Sequence, residues 1–253
     1  MNGHMQAAEV CGAGGRRDAG PAIVSAVIPC VDEEDAIATV VAGVLACRVS
    51  EVIVVDGCSR DHTVERAKAA GARVVIEPRH GYGRAIQVGV AAARREADIL
   101  LFLDGDGSDP LEFIPELIAP IVDGRAVFVQ GSRIRGKREP GSLSPQQIAA
   151  GYTGGILLRL LYGLRVTDLS PFRAIRRETF HELGMAEMTY GWNLEMLMRL
   201  AATRLPALEI PVGQRRRAGG VSKVSGNLVA SLKAAWSIAE TFLRLALILR
   251  RRA

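Results

Sequence analysis

An open, doubly wound α/β sheet, mostly parallel and covered by helices on both faces, is the fold predicted by this 253-residue sequence. Three observations carry the prediction. Short β-branched runs alternate with helical stretches, five such strands pass before the pattern changes, and acids and glycines gather just after the strands. Five strands are too few for an eight-fold barrel. In an open sheet of this kind, ligands collect at the carboxyl ends of the strands.

The strands are expected at AIVSAVIP (22–29), EVIVV (51–55), ARVVIE (72–77), DILLFLD (98–104) and AVFVQGS (126–132). Helical spacing fills 33–46, 62–70, 83–95 and 110–121 between them. Ser59 or Asp61 is placed to cap the second helix, and Asp109 with Pro110 and Glu112 reads as a capping box for the fourth. Beyond residue 133, a Gly/Pro/Ser-rich loop (136–145) leads to a helix near 146–163, a strand or turn at 170–177, a helix at 192–203 and a strand at 206–213. This half is expected to build the second wall of the cleft. A last helix, 227–249, aligns Leu228, Leu232, Trp236, Ala239, Leu243 and Ala246 on one face, which suits either packing on its own domain or lying in a membrane interface.

Composition narrows the function. The chain is 49% hydrophobic and 23% charged, ordinary for a globular domain, with a net charge of +5. That charge is uneven: residues 212–253 hold nine Lys or Arg against the single acid Glu240, and the rest is slightly acidic. The basic end could meet nucleic acid, anionic lipid or a phosphorylated ligand. Four cysteines without C-x-x-C spacing suggest neither zinc nor a disulfide framework, which fits a reducing cytoplasm. Residues 1–20 lack the apolar core of a signal peptide and read as a disordered lead-in, and the Leu245–Leu249 run is far short of the ~20 residues that span a bilayer.

The chemistry concentrates at strand ends. In LDGDGSDP, Asp104 and Asp106 are two apart, so their carboxylates point the same way, and Gly105 and Gly107 keep the approach open. Hard ions such as Mg²⁺ or Mn²⁺ take one or two carboxylates together with water and substrate phosphates. Asp56 ends the second strand, and Pro29, Asp32 and Glu33 follow the first, so one edge of the cleft is acidic. Acid there excludes a nucleic-acid groove. HGYGRAIQVG has Ile86 in place of the third glycine of G-x-G-x-x-G, and no Gly-Lys-Ser/Thr follows a glycine loop, so dinucleotide and P-loop readings fall away.

VIPCVDEE, EVIVVDGCSRDHT, LDGDGSDP, VQGSR, TDLSPFRA, YGWNLEM and RRRAGGVSK, in this order from about Ile23 to Lys223, resemble family 2 glycosyltransferases of the GT-A fold, especially the polyprenyl-phosphate (dolichol-phosphate-like) sugar synthases. The resemblance implies a glycosyltransferase domain at 21–224 followed by a basic helix at 225–253. By it, Asp104 and Asp106 correspond to the D-x-D that holds Mg²⁺ or Mn²⁺ on a nucleotide-diphosphate sugar, with Gly105 between them. Pro29, Glu33 and Asp56 match positions around the base and ribose. Arg217, Gly220, Ser222 and Lys223 match R-x-x-G-x-S-K, whose Arg and Lys contact the diphosphate. Arg133 matches an acceptor-phosphate contact, and Asp168, Ser170 and Arg173 lie beside the acceptor.

The sequence departs from the pattern in four places. Asp32 replaces the usual Asn, Pro171 replaces Gly, and Ser108 stands where a Gln is common. No Arg occurs between Pro140 and Leu158, where relatives often carry a second one for a lipid phosphate.

The expected activity is metal-dependent, inverting transfer of a hexose, of the GDP-mannose or UDP-glucose type, to a membrane-associated acceptor, with polyprenyl phosphate first. A soluble sugar, small acid or lipid headgroup is the alternative, and a non-catalytic nucleotide-sugar binder a distant third. A hydroxyl acceptor would need a base, for which Asp168 and Glu195 are the candidates; Asp168 also reads as a carboxylate orienting Arg173 or capping a turn, and Glu195 as a structural residue of its helix. The basic end is expected on an anionic membrane surface, giving a cytoplasmic or peripheral inner-face location. Homo-oligomerisation is left open.

Overall fold

The computed structural model describes residues 21–219 and 240–247. Seven strands form one sheet in the order β3-β2-β1-β4-β6-β5-β7. These are β1 (Val24–Cys30), β2 (Glu51–Asp56), β3 (Arg73–Ile76), β4 (Ile99–Phe102), β5 (Phe128–Ser132), β6 (Arg173–Arg176) and β7 (Ala207–Pro211). All neighbours pair in parallel except β6, which runs antiparallel to β4 and β5. The expected 170–177 element is therefore a strand, and the mostly parallel reading holds. Pro29 is tolerated in a central strand because β1–β4 pairing ends at Val27–Phe102, so the missing N–H falls beyond that ladder.

Alternation along β1 divides the core. Ala26 and Ile28 face one hydrophobic layer with α1 (Ile37–Ala46), α2 (Thr63–Ala69) and α4 (Ile114–Val122). Val27 faces the other, with α3 (Tyr82–Ala92), α5 (Pro145–Tyr162), α6 (Arg177–Leu183) and α7 (Trp192–Thr203). The inward face of α1 is Ile37, Val40, Val41 and Val44, the spacing of an amphipathic helix. In α5, Ser144 accepts from Gln147 N while Gln147 accepts from Ser144 N, with Pro145 in the first turn and Gly163 closing the helix at φ 72°.

Several expectations are corrected. The helix expected over 33–46 starts at Ile37, after a turn at 33–36, and 110–121 is a short 3-10 turn (Leu111–Phe113) followed by α4. The capping box at Asp109 does not form: its carboxylate reaches back to the Asp104 amide, 2.9 Å away, and the turn has no side-chain cap. Neither Ser59 nor Asp61 is the N-cap of α2, which is His62 without a side-chain cap; Asp61, just before it, accepts from Thr63 N at 3.0 Å. α6 was not anticipated. Of the final helix, 240–247 is described, and there the packed face runs through Thr241 and Leu245, not Leu243, which is 65% exposed. The remainder of 227–249 and residues 1–20 lie outside the described residues.

Candidate active site

A cleft of about 1390 Å³ opens at the carboxyl ends of β1, β2 and β4. Strands β2 and β3 lie to one side of β1 and β4 to the other, so this is the topological switch point of the sheet. On one side the loops after β1 and β2 zip together. Asp32 N donates to Ser59 Oγ, Arg60 N to Asp32 Oδ1 and Glu33 N to Thr63 Oγ1, each at 2.8 Å. Asp32 adopts φ 50°, a left-handed region that Asp and Asn tolerate. Pro29 and Glu33 line the cleft. Asp56 does not: it accepts from Ser59 N at 2.9 Å and from Ser59 Oγ, so its carboxylate organises its own turn.

The loop after β4 forms the floor. Asp104, Gly105 and Asp106 line the cleft, and Asp106 Oδ1 accepts from Ser108 N at 2.9 Å. Arg217 reaches this loop because its segment pairs with it: Arg215 N donates to Ser108 O and Ala218 N to Asp106 O. Its guanidinium then bridges Asp106 (2.7 Å) and Glu33 (2.5 Å), joining two strand ends. Burial, reinforced by Asp109 and Asp106, pushes the Asp104 carboxyl well above the usual range. Burial likewise raises Asp109 to about 7, with Asp106 adding to it. Asp109 Oδ1 is also buried without a hydrogen-bond partner.

That crowd of carboxylate oxygens suits a hard divalent cation. Among the described residues no three His, Cys, Asp or Glu side chains converge tightly enough to hold one alone. Asp104 and Asp106 would therefore hold such an ion together with diphosphate oxygens and water.

Across the cleft, Asp168 is buried and saturated. It accepts from Arg133 Nε at 2.7 Å, Arg133 Nη2 at 2.8 Å, Arg133 N at 3.0 Å and Leu169 N at 2.7 Å. Burial raises its pKa, but the Arg133 hydrogen bonds and charge outweigh this and hold it below the ordinary carboxylate value. The pair fixes the Arg133 guanidinium in the cleft wall, with Nε and Nη2 spent on Asp168. A carboxylate so engaged is a poor proton acceptor, and its partner is Arg133 rather than Arg173.

Ser170 and Arg173 lie beneath the wall. Arg173 is fully buried, donates to Asn193 O (3.2 Å) and to Ser170 O, and sits 5.8 Å from the Phe128 ring centre. Burial lowers its pKa to about 10. These two residues position the wall instead of facing a ligand. Glu195, also fully buried, accepts from Ala186 N, Glu187 N and Arg199 Nε and so ties the 185–191 loop to α7. Gly220, Ser222 and Lys223 lie outside the described residues.

Tyr82 and Asn193 also line the cleft; they fall within the HGYG and YGWNLEM segments, but neither side chain was singled out. Their signal was available only as polar residues opening α3 and α7. Thr241 and Arg244 both bond Glu187, at 3.0 and 2.6 Å, so the described end of the last helix packs against the same loop.

An open sheet with an Asp-x-Asp loop at its switch point and a guanidinium bridging that loop to the neighbouring strand end has the architecture of a GT-A glycosyltransferase. The chain belongs to glycosyl transferase family 2, whose model matches residues 25–184. It is 37% identical over 211 residues to an uncharacterized glycosyltransferase of Mycobacterium tuberculosis, covering 83% of this chain and 93% of that one. A dolichyl-phosphate hexose transferase of Haloferax volcanii is 34% identical over 199 residues, 78% of this chain and 84% of that one. Among solved structures, glucosyl-3-phosphoglycerate synthase of M. tuberculosis in complex with Mn²⁺, UDP-glucose and phosphoglyceric acid superposes with TM-score 0.70 at 25% identity, covering 89% of this chain and 80% of that chain.

Proposed function

We propose that this chain transfers a hexose, with inversion, from a nucleoside-diphosphate sugar to a phosphate-bearing acceptor, and that the acceptor is a lipid-linked phosphate at a membrane surface. The observation that carries the reading is the pairing of an acidic loop on the cleft floor with a carboxylate-locked guanidinium, Arg133, across from it. Pro29 and Glu33 border the base and ribose, and Asp56 shapes the turn beside them. Arg217 steadies the diphosphate, and Lys223 is expected to do the same.

The acceptor phosphate oxygen attacks C1 of the sugar. The C1–O bond to the diphosphate breaks, and its electron pair leaves on the nucleoside diphosphate. A divalent cation on Asp104 and Asp106 would supply charge stabilisation for that leaving group. Arg133 holds the incoming phosphate in line.

The absence of a free proton acceptor at Asp168 supports an anionic acceptor, which brings its nucleophile already deprotonated. The mycobacterial synthase solved with UDP-glucose and Mn²⁺ supports the donor and metal classes, and the haloarchaeal dolichyl-phosphate enzyme supports the acceptor. So does α5. Its first turns line the cleft at Gln147, Ala150 and Gly151, and its outer face exposes Tyr152, Ile156, Leu160 and Leu161 beside Arg159. An apolar stripe with a basic neighbour fits the edge of an anionic bilayer. Among the described residues no helix is long and apolar enough to cross a membrane.

A second reading has one observation in its favour: the solved neighbour holds phosphoglyceric acid, and Arg133 would serve a soluble phosphorylated acid equally well. A screen of UDP-glucose and GDP-mannose with Mn²⁺ or Mg²⁺, against polyprenyl phosphate in vesicles and against 3-phosphoglycerate, separates the two. Transfer to the lipid alone supports the first, and transfer to the acid alone the second.

A further inference from the structure

Beyond the diphosphate region, the cleft wall carries two neighbouring polar side chains whose hydrogen-bonding capacity the protein leaves partly unused. Tyr82 opens α3 and Asn193 lies in the first turn of α7. Their side chains face one another, within reach of the Asp104 charge. The Asn193 amide is close enough to hydrogen-bond the phenol, yet Asn193 Oδ1 is buried without a partner and the Tyr82 hydroxyl has none in the protein besides Asn193. Buried polar atoms are nearly always paired, so two beside each other on a cleft wall mark where a ligand completes the set.

Neither residue can turn away to satisfy itself. α3 is pinned to the 185–191 loop by Gly83 N to Thr189 O (3.3 Å) and Arg84 N to Met188 O (3.0 Å). The approach is so close that a Cβ on Gly83 would lie 2.4 Å from Glu187 O. The Tyr82 ring meets Trp192 edge-on with centroids 6.3 Å apart. Arg173 holds the Asn193 carbonyl, and Glu195 holds the loop between them. The buried Arg173 and Glu195 thus act as positioning residues for this wall.

We infer that Tyr82 and Asn193 form the subsite that reads the hydroxyls of the transferred sugar. The phenol can donate or accept, while the Asn193 oxygen accepts only, so their ligand is a ring bearing adjacent free hydroxyls, one of them donating to Asn193. The position beside the acidic loop is where the sugar of a diphosphate donor begins. The inference rests on the proposed donor chemistry.

Calorimetric titration of the full chain with UDP and UDP-glucose, and with GDP and GDP-mannose, all in Mn²⁺, tests it on Tyr82→Phe and Asn193→Ala. Each variant should bind the nucleoside diphosphate within about twofold of the unaltered chain but the nucleotide sugar roughly tenfold more weakly. The contact between the two side chains is all that either variant is expected to lose, so melting temperatures should fall by less than about 5 °C. Three outcomes overturn the subsite: nucleotide sugar bound as tightly as before, equal weakening of both ligands, or a melting loss above about 5 °C, which would make the groups structural. No binding of any nucleoside diphosphate by the unaltered chain is a different failure. It removes the donor chemistry itself.

Discussion

Replacing Asp168 by Asn preserves shape and removes the charge that holds Arg133. The Asp168 side chain is 1% exposed and that of Arg133 14%, so solvent cannot take over the lost partnership. Breaking a buried pair from one side costs about 3–5 kcal/mol. Asn keeps one acceptor oxygen for the four donors, so we expect a loss of about 2–4 kcal/mol. For a chain of this size that is a fall in melting temperature of roughly 5–15 °C.

Urea unfolding of Asp168→Asn beside Asp123→Asn provides the assay. Asp123 pairs with Arg125 at 3.0 Å, but both side chains are more than half exposed, and its loss should cost under about 1 kcal/mol. The pH dependence gives an independent check. Because Asp168 has a depressed folded pKa, its contribution is fully present above the ordinary carboxylate value of about 4 and disappears as pH falls through the lower folded value. The deficit of the variant should shrink toward zero in acid. A cost no larger than that of Asp123→Asn, or a deficit that grows in acid, would refute the reasoning.

Asp104→Asn should abolish Mn²⁺ binding measured by electron paramagnetic resonance, yet melt higher than the unaltered chain in chelator at pH 8. A carboxyl with a raised folded pKa destabilises the fold once pH rises through that value, so the advantage should vanish in acid, where both forms are neutral. The pair Ile156→Ser and Leu160→Ser, at positions 57% and 75% exposed, should leave stability within about 0.5 kcal/mol while lowering co-sedimentation with anionic vesicles. Gly155→Ala would put a Cβ 2.3 Å from Val166 O, a backbone atom that cannot swing aside, and should cost about 1–3 kcal/mol by denaturant titration.

The parallel half of the fold was legible because buried strands such as VIVVD and ILLF are continuous apolar runs, and α1 carries its core face at helical spacing. β6 was ambiguous for a physical reason. Its four residues, RAIR, include a fully buried arginine, and its place between β4 and β5 depends on a reversal that local pattern does not encode. α6 escaped notice because RETFHEL buries only Thr179, Phe180 and Leu183.

At the site, Asp104, Asp106, Glu33 and Arg217 were readable from spacing and motif, and the fold brings all four to one place. What stayed hidden were long-range partnerships. Asp168 is 35 residues from Arg133, the Asp109 carboxylate points backward to Asp104 rather than forward into a helix, and Arg173 spends its donors on carbonyls. Residue type told what these groups could do, but only packing decided whether each faced the ligand or the wall.

The measurement closest to the central claim is sugar transfer from UDP-glucose or GDP-mannose to polyprenyl phosphate in vesicles, run with Mn²⁺, with chelator, and with Asp104→Asn and Arg133→Gln. The account predicts transfer in Mn²⁺ alone, none in chelator or with Asp104→Asn, and a raised acceptor KM with unchanged donor affinity for Arg133→Gln. Transfer that survives both chelation and the loss of Asp104 would contradict it.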